Sequence, residues 1–145
     1  MSLANMLTDT KEVVLSSGAA AAETTITSAA VNMTGYDAVK FTVVLGTVTA
    51  GAVMGLQAED CATIGGAYAN CGAPLSVTDV GGATTGQSLL LDVVWPGQQF
   101  VKLVMTRGTA NAQVASIVAQ LYRAKNKPTT PDASCAGSLL TEATG

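Results

Sequence analysis

The chain has 145 residues and a net charge of −3, from seven basic and ten acidic side chains, and it contains no histidine. That length suits one domain, with roughly 70% of the unfolded surface buried and no need of disulfide staples. Seven basic residues argue against a nucleic-acid partner, because that binding draws on Lys and Arg at phosphates, and the missing imidazole removes the commonest general base and metal ligand.

Apolar residues make up 48% of the chain but aromatics only 4%, so its core must be assembled from small and branched aliphatics. Such side chains suit strands layered closely face to face. No run reaches the ~18 apolar residues of a membrane-spanning helix, so no membrane partner is expected. The opening Met1–Met6 lacks the basic and long apolar regions of a signal peptide, which points to synthesis and residence in the cytosol.

Taken in order, short apolar runs alternate with turn signals, the pattern of an all-β sandwich or barrel. Lys11–Ser17 reads as a strand ended by Gly18. Gly18–Ala22 is ambiguous, and Thr25–Met33 reads as the next strand, broken by Gly35. Val39–Gly46 alternates clearly: Val39, Phe41, Val43 and Leu45 share one face, and Lys40, Thr42 and Val44 the other. Ala52–Asp60 follows, with Met54, Leu56 and Ala58 on one side.

Cys61–Gly72 reads as a loop and Pro74–Asp79 as a short strand, followed by a turn holding Gly81-Gly82. The continuous apolar run of Ser88–Trp95 predicts a buried strand, closed by Pro96-Gly97. Gln98–Arg107 and Gln113–Ala124 are predicted to form one hairpin through the short Gly- and Asn-containing link Gly108–Ala112. In its second arm Val114, Ser116, Val118, Gln120 and Tyr122 are expected to face one way, and Ala115, Ile117, Ala119 and Leu121 the other. Lys125 and Lys127 read as a solvated exit loop. The predicted organisation is a β-domain over residues 1–127 of about eight strands, and a C-terminal arm over 128–145 anchored only by Leu139 and Leu140.

Little catalytic chemistry is written here. Cys61 and Cys71 flank one loop; a disulfide between them would close it, whereas as free thiols they serve as small hydrophobes. Two cysteines ten residues apart without histidine make a poor metal site. Glu59-Asp60 reads as a solvated strand end, and Asp92 is expected either to face solvent or to meet a partner such as Lys102 or Arg107 across the sheet. Gly81-Gly82 lacks the Lys and Ser/Thr of a phosphate-binding loop, and no serine or threonine has an evident activating base. Trp95, at a strand end before Pro96-Gly97, is the aromatic candidate for contact with a sugar or a partner, although an interior or rim tryptophan is the commoner case. No enzyme activity, cofactor or metal is expected.

Three stretches carry a resemblance: Met1–Asn5, Ser16–Phe41 and Leu89–Lys125. They resemble small structural proteins of tailed bacteriophages, namely the capsid decoration or cement proteins. The stretch Gly46–Gly86 carries no such motif. The resemblance implies a jelly-roll-like β-sandwich on the outside of an icosahedral head, with the major capsid protein as partner. It also implies a homo-oligomer, a trimer, located on the virion surface, where it clamps neighbouring capsomers. Two other readings compete: a head–tail connector or tail component, and a carbohydrate-binding sandwich using Trp95.

Overall fold

The computed structural model describes residues 5–141. A single helical turn, α1 (Met6–Asp9), precedes eleven strands: β1 (Lys11–Ser16), β2 (Ala19–Ala22), β3 (Ile26–Thr27), β4 (Val31–Asn32), β5 (Tyr36–Val48), β6 (Val53–Cys61), β7 (Ala69–Asn70), β8 (Leu75–Thr78), β9 (Ser88–Val94), β10 (Phe100–Gly108) and β11 (Ala112–Ala124). The Asn5 side chain caps α1 by accepting the Thr8 N–H at 2.9 Å.

The strands form two antiparallel sheets. Sheet A has the order β1-β11-β5-β9, with β2 beside β1 on the same edge of β11. Sheet B has the order β3-β10-β6-β7, with β4 extending β3 along β10 and β8 extending β7 along β6. Eleven strands therefore occupy eight positions, because three outer positions are each shared by two short strands. Counted by position, the chain changes sheet at every step except from β6 to the β7–β8 position. That is the eight-position jelly roll, which agrees with the all-β sandwich expected from the sequence.

Alternation along the strands builds the core between the sheets. Sheet A contributes Val39, Phe41, Val43, Leu45, Ile117 and Leu121; sheet B contributes Met54, Leu56, Val101, Leu103 and Met105, and each is at most 2% exposed. The faces assigned to β5 and β6 from the sequence are the ones observed.

Four details differ from expectation. First, β10 and β11 are not a hairpin: β10 pairs with β6, β3 and β4, and β11 with β5, β1 and β2. The link over Thr109–Asn111 spans the ~10 Å between the sheets, a distance a few residues cover. Second, the register of β11 against β5 shifts between Val114 and Ser116. This bulge turns Val114 inward, 1% exposed, onto the same face as Ile117, Ala119 and Leu121. Third, the run expected over Thr25–Met33 breaks into β3 and β4 at Ser28. The Ser28 N–H donates to the Leu103 carbonyl, and its hydroxyl accepts the Leu103 N–H, both at 2.9 Å. Fourth, β9 is buried on one face only.

Glycine matters most at Gly18, between β1 and β2. Its φ is +134°, and a Cβ there would stand 3.0 Å from the Ala115 carbonyl oxygen at the bulge.

Candidate interaction surfaces

Because neighbouring strands align their outward residues, each sheet presents one coherent outer face. On sheet A, Val14 lies opposite Val118, Val118 opposite Thr42, and Thr42 opposite Leu90. Val94 lies two steps along β9 on the same side, beyond Asp92. Val14 is 48% exposed, Leu90 54% and Val94 40%, so exposed aliphatics stand at both edges of the face, with half-buried Val118 and Thr42 between them. The expected burial of the Ser88–Trp95 run is thus corrected: Leu89 and Val93 face the core, and Leu90 and Val94 face outward. A continuous apolar run is compatible with a strand covered on both faces, but none of the described residues covers the second one.

Asp92 sits within this face. It faces solvent, one of the two expected outcomes, and accepts the Tyr122 hydroxyl at 2.6 and 2.7 Å. Burial and the adjacent Asp92 carboxylate push the Tyr122 hydroxyl up to about 12. Lys102 and Arg107 lie on sheet B, so no shared sheet brings them to Asp92.

The outer face of sheet B is different. Lys102 Nζ lies 3.4 Å from Glu59 Oε2 and 4.2 Å from the Tyr68 ring centroid. Asp60 accepts the Gly97 N–H at 3.1 Å. The Glu59-Asp60 pair therefore serves two structural contacts. Arg107 is only 6% exposed and pins the crossing between the sheets. Its guanidinium donates to the carbonyls of Thr24, Ala20 and Ala112 and to the Thr24 hydroxyl, over 2.7–2.9 Å. Every donor shown goes to an uncharged oxygen, which sequence reasoning had no local signal to find.

At one end of the sandwich Trp95 closes β9. It is 66% exposed and has φ +58°, left-handed for a bulky residue standing before a proline. Its N–H donates to the Asp37 carbonyl at 2.8 Å. The Arg123 guanidinium, also on a left-handed backbone at φ +55°, stands 5.5 Å from the indole centroid. Beside Trp95 opens a cleft of about 300 Å³ that includes Tyr36, Asp37, Gln98, Gln99 and Lys125.

The cysteines are all free thiols. Cys71 packs partly against the core opposite Ala58, while Cys61, three residues further along β6, falls on the outer side near Thr63. The two thiols thus occupy opposite faces of sheet B, an arrangement that a disulfide does not bridge without backbone movement. Burial, followed by the Asp60 carboxylate, pushes the Cys71 thiol above its ordinary value and lowers its reactivity. Among the described residues, no cluster of three or more His, Cys, Asp or Glu residues is placed to hold a metal.

The segment after β11 first runs along the β1 edge. Thr129 donates its N–H to the Thr8 carbonyl at 2.8 Å and its hydroxyl to the Thr10 carbonyl at 2.6 Å. Ser134 accepts the Val14 N–H at 3.0 Å, and Asp132 lies 3.7 Å from Lys11. Residues 135–141 are then exposed throughout, with Leu139 at 82% and Leu140 at 51%.

No family model matches the chain, and no curated protein matches it. Among solved structures the chain is similar to one described as "Structure of infectious bursal disease virus Gt strain", with 16% identity and a TM-score of 0.47, over 82% of this chain and 33% of that one. The chain therefore spans about a third of the length of that neighbour.

Proposed function

We propose that this chain is a capsid decoration, or cement, protein of a tailed bacteriophage. It binds the outer surface of the head, takes the major capsid protein as its partner, and acts as a homotrimer that stabilises contacts between capsomers. The observation that carries this reading is the apolar outer face of sheet A, where Val14, Leu90 and Val94 are 40–54% exposed in a single chain. Exposed apolar surface of this kind marks an interaction site. Viral capsid domains are among the users of the jelly roll, a fold-level analogy that supports the reading without fixing the partner. On an icosahedral lattice many modest contacts add through avidity, so no catalytic residue is required.

The test adds purified protein to capsids assembled from the major capsid protein of the same genome. Saturable, stoichiometric co-sedimentation and a higher capsid disruption temperature are expected. Capsids that neither bind it nor gain heat resistance overturn the reading.

A second reading, a carbohydrate-binding module, is favoured by the Trp95 cleft. An exposed indole beside Asp37, Gln98 and Gln99 supplies both the apolar plate and the hydrogen-bonding groups that a sugar ring uses. A glycan-array signal abolished by Trp95→Ala supports it, and a blank array removes it.

A further inference from the structure

Most outer positions of this sandwich are blunted. The β1–β2 edge is broken at Gly18 and takes Ser134 onto Val14, the β3–β4 edge is broken at Ser28, and the β7–β8 edge is interrupted by Gly72 and Pro74. Broken or covered edges resist pairing with other chains. The β9 edge has neither protection: it is seven residues long, unbroken and mostly apolar.

Its register shows which groups are free. Leu45 N–H donates to the Gln87 carbonyl, and Trp95 N–H donates to the Asp37 carbonyl. Odd-numbered residues of β9 therefore bond to β5, and the N–H and C=O groups of Ser88, Leu90, Asp92 and Val94 point away from it. Among the described residues, β9 pairs with no strand other than β5. Alongside this edge runs a groove of about 340 Å³, with Cys71, Gly72 and Ala73 on one wall and Leu91, Val93 and Trp95 on the other.

The same chain holds a segment of matching chemistry. Residues 135–141, Cys-Ala-Gly-Ser-Leu-Leu-Thr, equal β9 in length, carry no charge and are exposed along their whole length. As a strand, they would point Leu139 and Leu140 to opposite sides. One leucine would enter the groove over Leu91 and Val93, and the other would lie beside Leu90 and Val94. A neutral strand also brings no second charge to Asp92, which lines the groove and whose carboxylate accepts the Tyr122 hydroxyl.

A chain's own segment is poorly placed to do this. Ser134 is held at the β1 edge, three inter-strand spacings (about 14 Å) from β9. Crossing that distance would consume about four of the seven residues at ~3.3 Å each.

We infer that copies of this chain join head to tail: residues 135–141 of one copy add as an extra strand to the bare β9 edge of a second copy. The inference deepens the homo-oligomer in the proposed function and rests on that part of it alone. Donor and acceptor lie on opposite edges of sheet A, so the contact is heterologous and is satisfied throughout only when it closes into a ring. Main-chain hydrogen bonds provide the pairing, and the two leucines set the register.

The experiment uses isolated protein with no capsid present. Light scattering after size exclusion should show an oligomer for the full chain and a monomer for a chain ending at Ser134. Leu140→Asp in the full chain should raise the dissociation constant at least tenfold. Circular dichroism and melting temperature confirm that the variants stay folded. For the contact itself, Cys61→Ser, Cys71→Ser and Cys135→Ser remove the native thiols, then Ala73→Cys and Leu140→Cys are placed on separate chains. Mixing and oxidation should yield the mixed 73–140 disulfide. A monomeric full chain, an unchanged oligomer after truncation, or crosslinks mainly between two copies of position 73 overturns the inference. An oligomer that passes these tests but ignores capsids defeats the capsid reading and leaves the inference standing.

Discussion

The two outer faces of the sandwich use the same strand geometry and differ in how much exposed apolar side chain they carry. Across sheet A the central row is Val14, Val118, Thr42 and Leu90. Across sheet B the comparable row includes Asn70, Glu59 and Lys102, with Tyr68 over the ammonium. Sheet B settles its charges within the chain: its lysine has a carboxylate and a ring, and Asp60 has a backbone donor. Sheet A, among the described residues, leaves Val14, Leu90 and Val94 uncovered beside a polar row of Glu12, Gln120, Lys40 and Asp92, in which Asp92 holds the Tyr122 hydroxyl. The core behind the two faces is equally well buried, so the difference does not arise from folding. It separates a face that is complete in one chain from a face that a partner would complete.

The largest expected effect strikes the link between the two sheets. Arg107→Met should cost about 3 kcal/mol in chemical denaturation, because the buried carbonyls of Ala20, Thr24 and Ala112 lose their donor and an apolar side chain cannot replace it. A loss under ~0.5 kcal/mol would show that water substitutes for the guanidinium.

The next sharpens the contrast of faces directly. Val118→Asp on sheet A should weaken capsid binding about 100-fold, or ~2.7 kcal/mol, while Val104→Asp at the outward side of sheet B should change it less than about threefold. Equal effects in a binding titration would erase the distinction. Within sheet B, Lys102→Ala should cost at most about 1 kcal/mol in the same denaturation assay, since the pair with Glu59 is partly solvated.

The smallest effect under ordinary conditions concerns pH. An unfolded tyrosine loses its proton near 10, whereas Tyr122 in the folded chain holds its proton up to about 12. Between those values the folded state binds more protons, so this contribution to stability is complete below pH 10 and declines as pH rises toward 12. Tyr122→Phe should flatten that part of the alkaline stability curve and leave the acid side alone. Asp79 acts in the opposite range. The Thr84 hydroxyl and N–H hold its carboxyl below the ordinary value, so its stabilisation of the Asp79–Gly86 turn is present near neutrality and disappears on acidification.

Much of the architecture was legible because it depends on local periodicity. Val39–Leu45 and Met54–Ala58 alternate without interruption, and the predicted inner faces are the buried ones. The candidate surface was only partly legible. Trp95, Leu139 and Leu140 are exposed, and exposure alone names no partner. The Leu89–Val94 run misled because composition records that a side chain is apolar, not whether a second layer covers it.

By itself, the sequence determined the β-sandwich class, the small-aliphatic core and the scarcity of catalytic groups, while its count of about eight strands fell short of the eleven observed. The first three follow from composition and a period of two, both readable within a few residues. Only the tertiary structure decided that β10 and β11 enter different sheets, that a bulge at Ala115 turns Val114 inward, that Arg107 binds distant carbonyls and that β9 is left as the unbroken edge. Each of these is set by contact between residues far apart in the chain, where strand pairing and the space between sheets, rather than local preference, select the outcome.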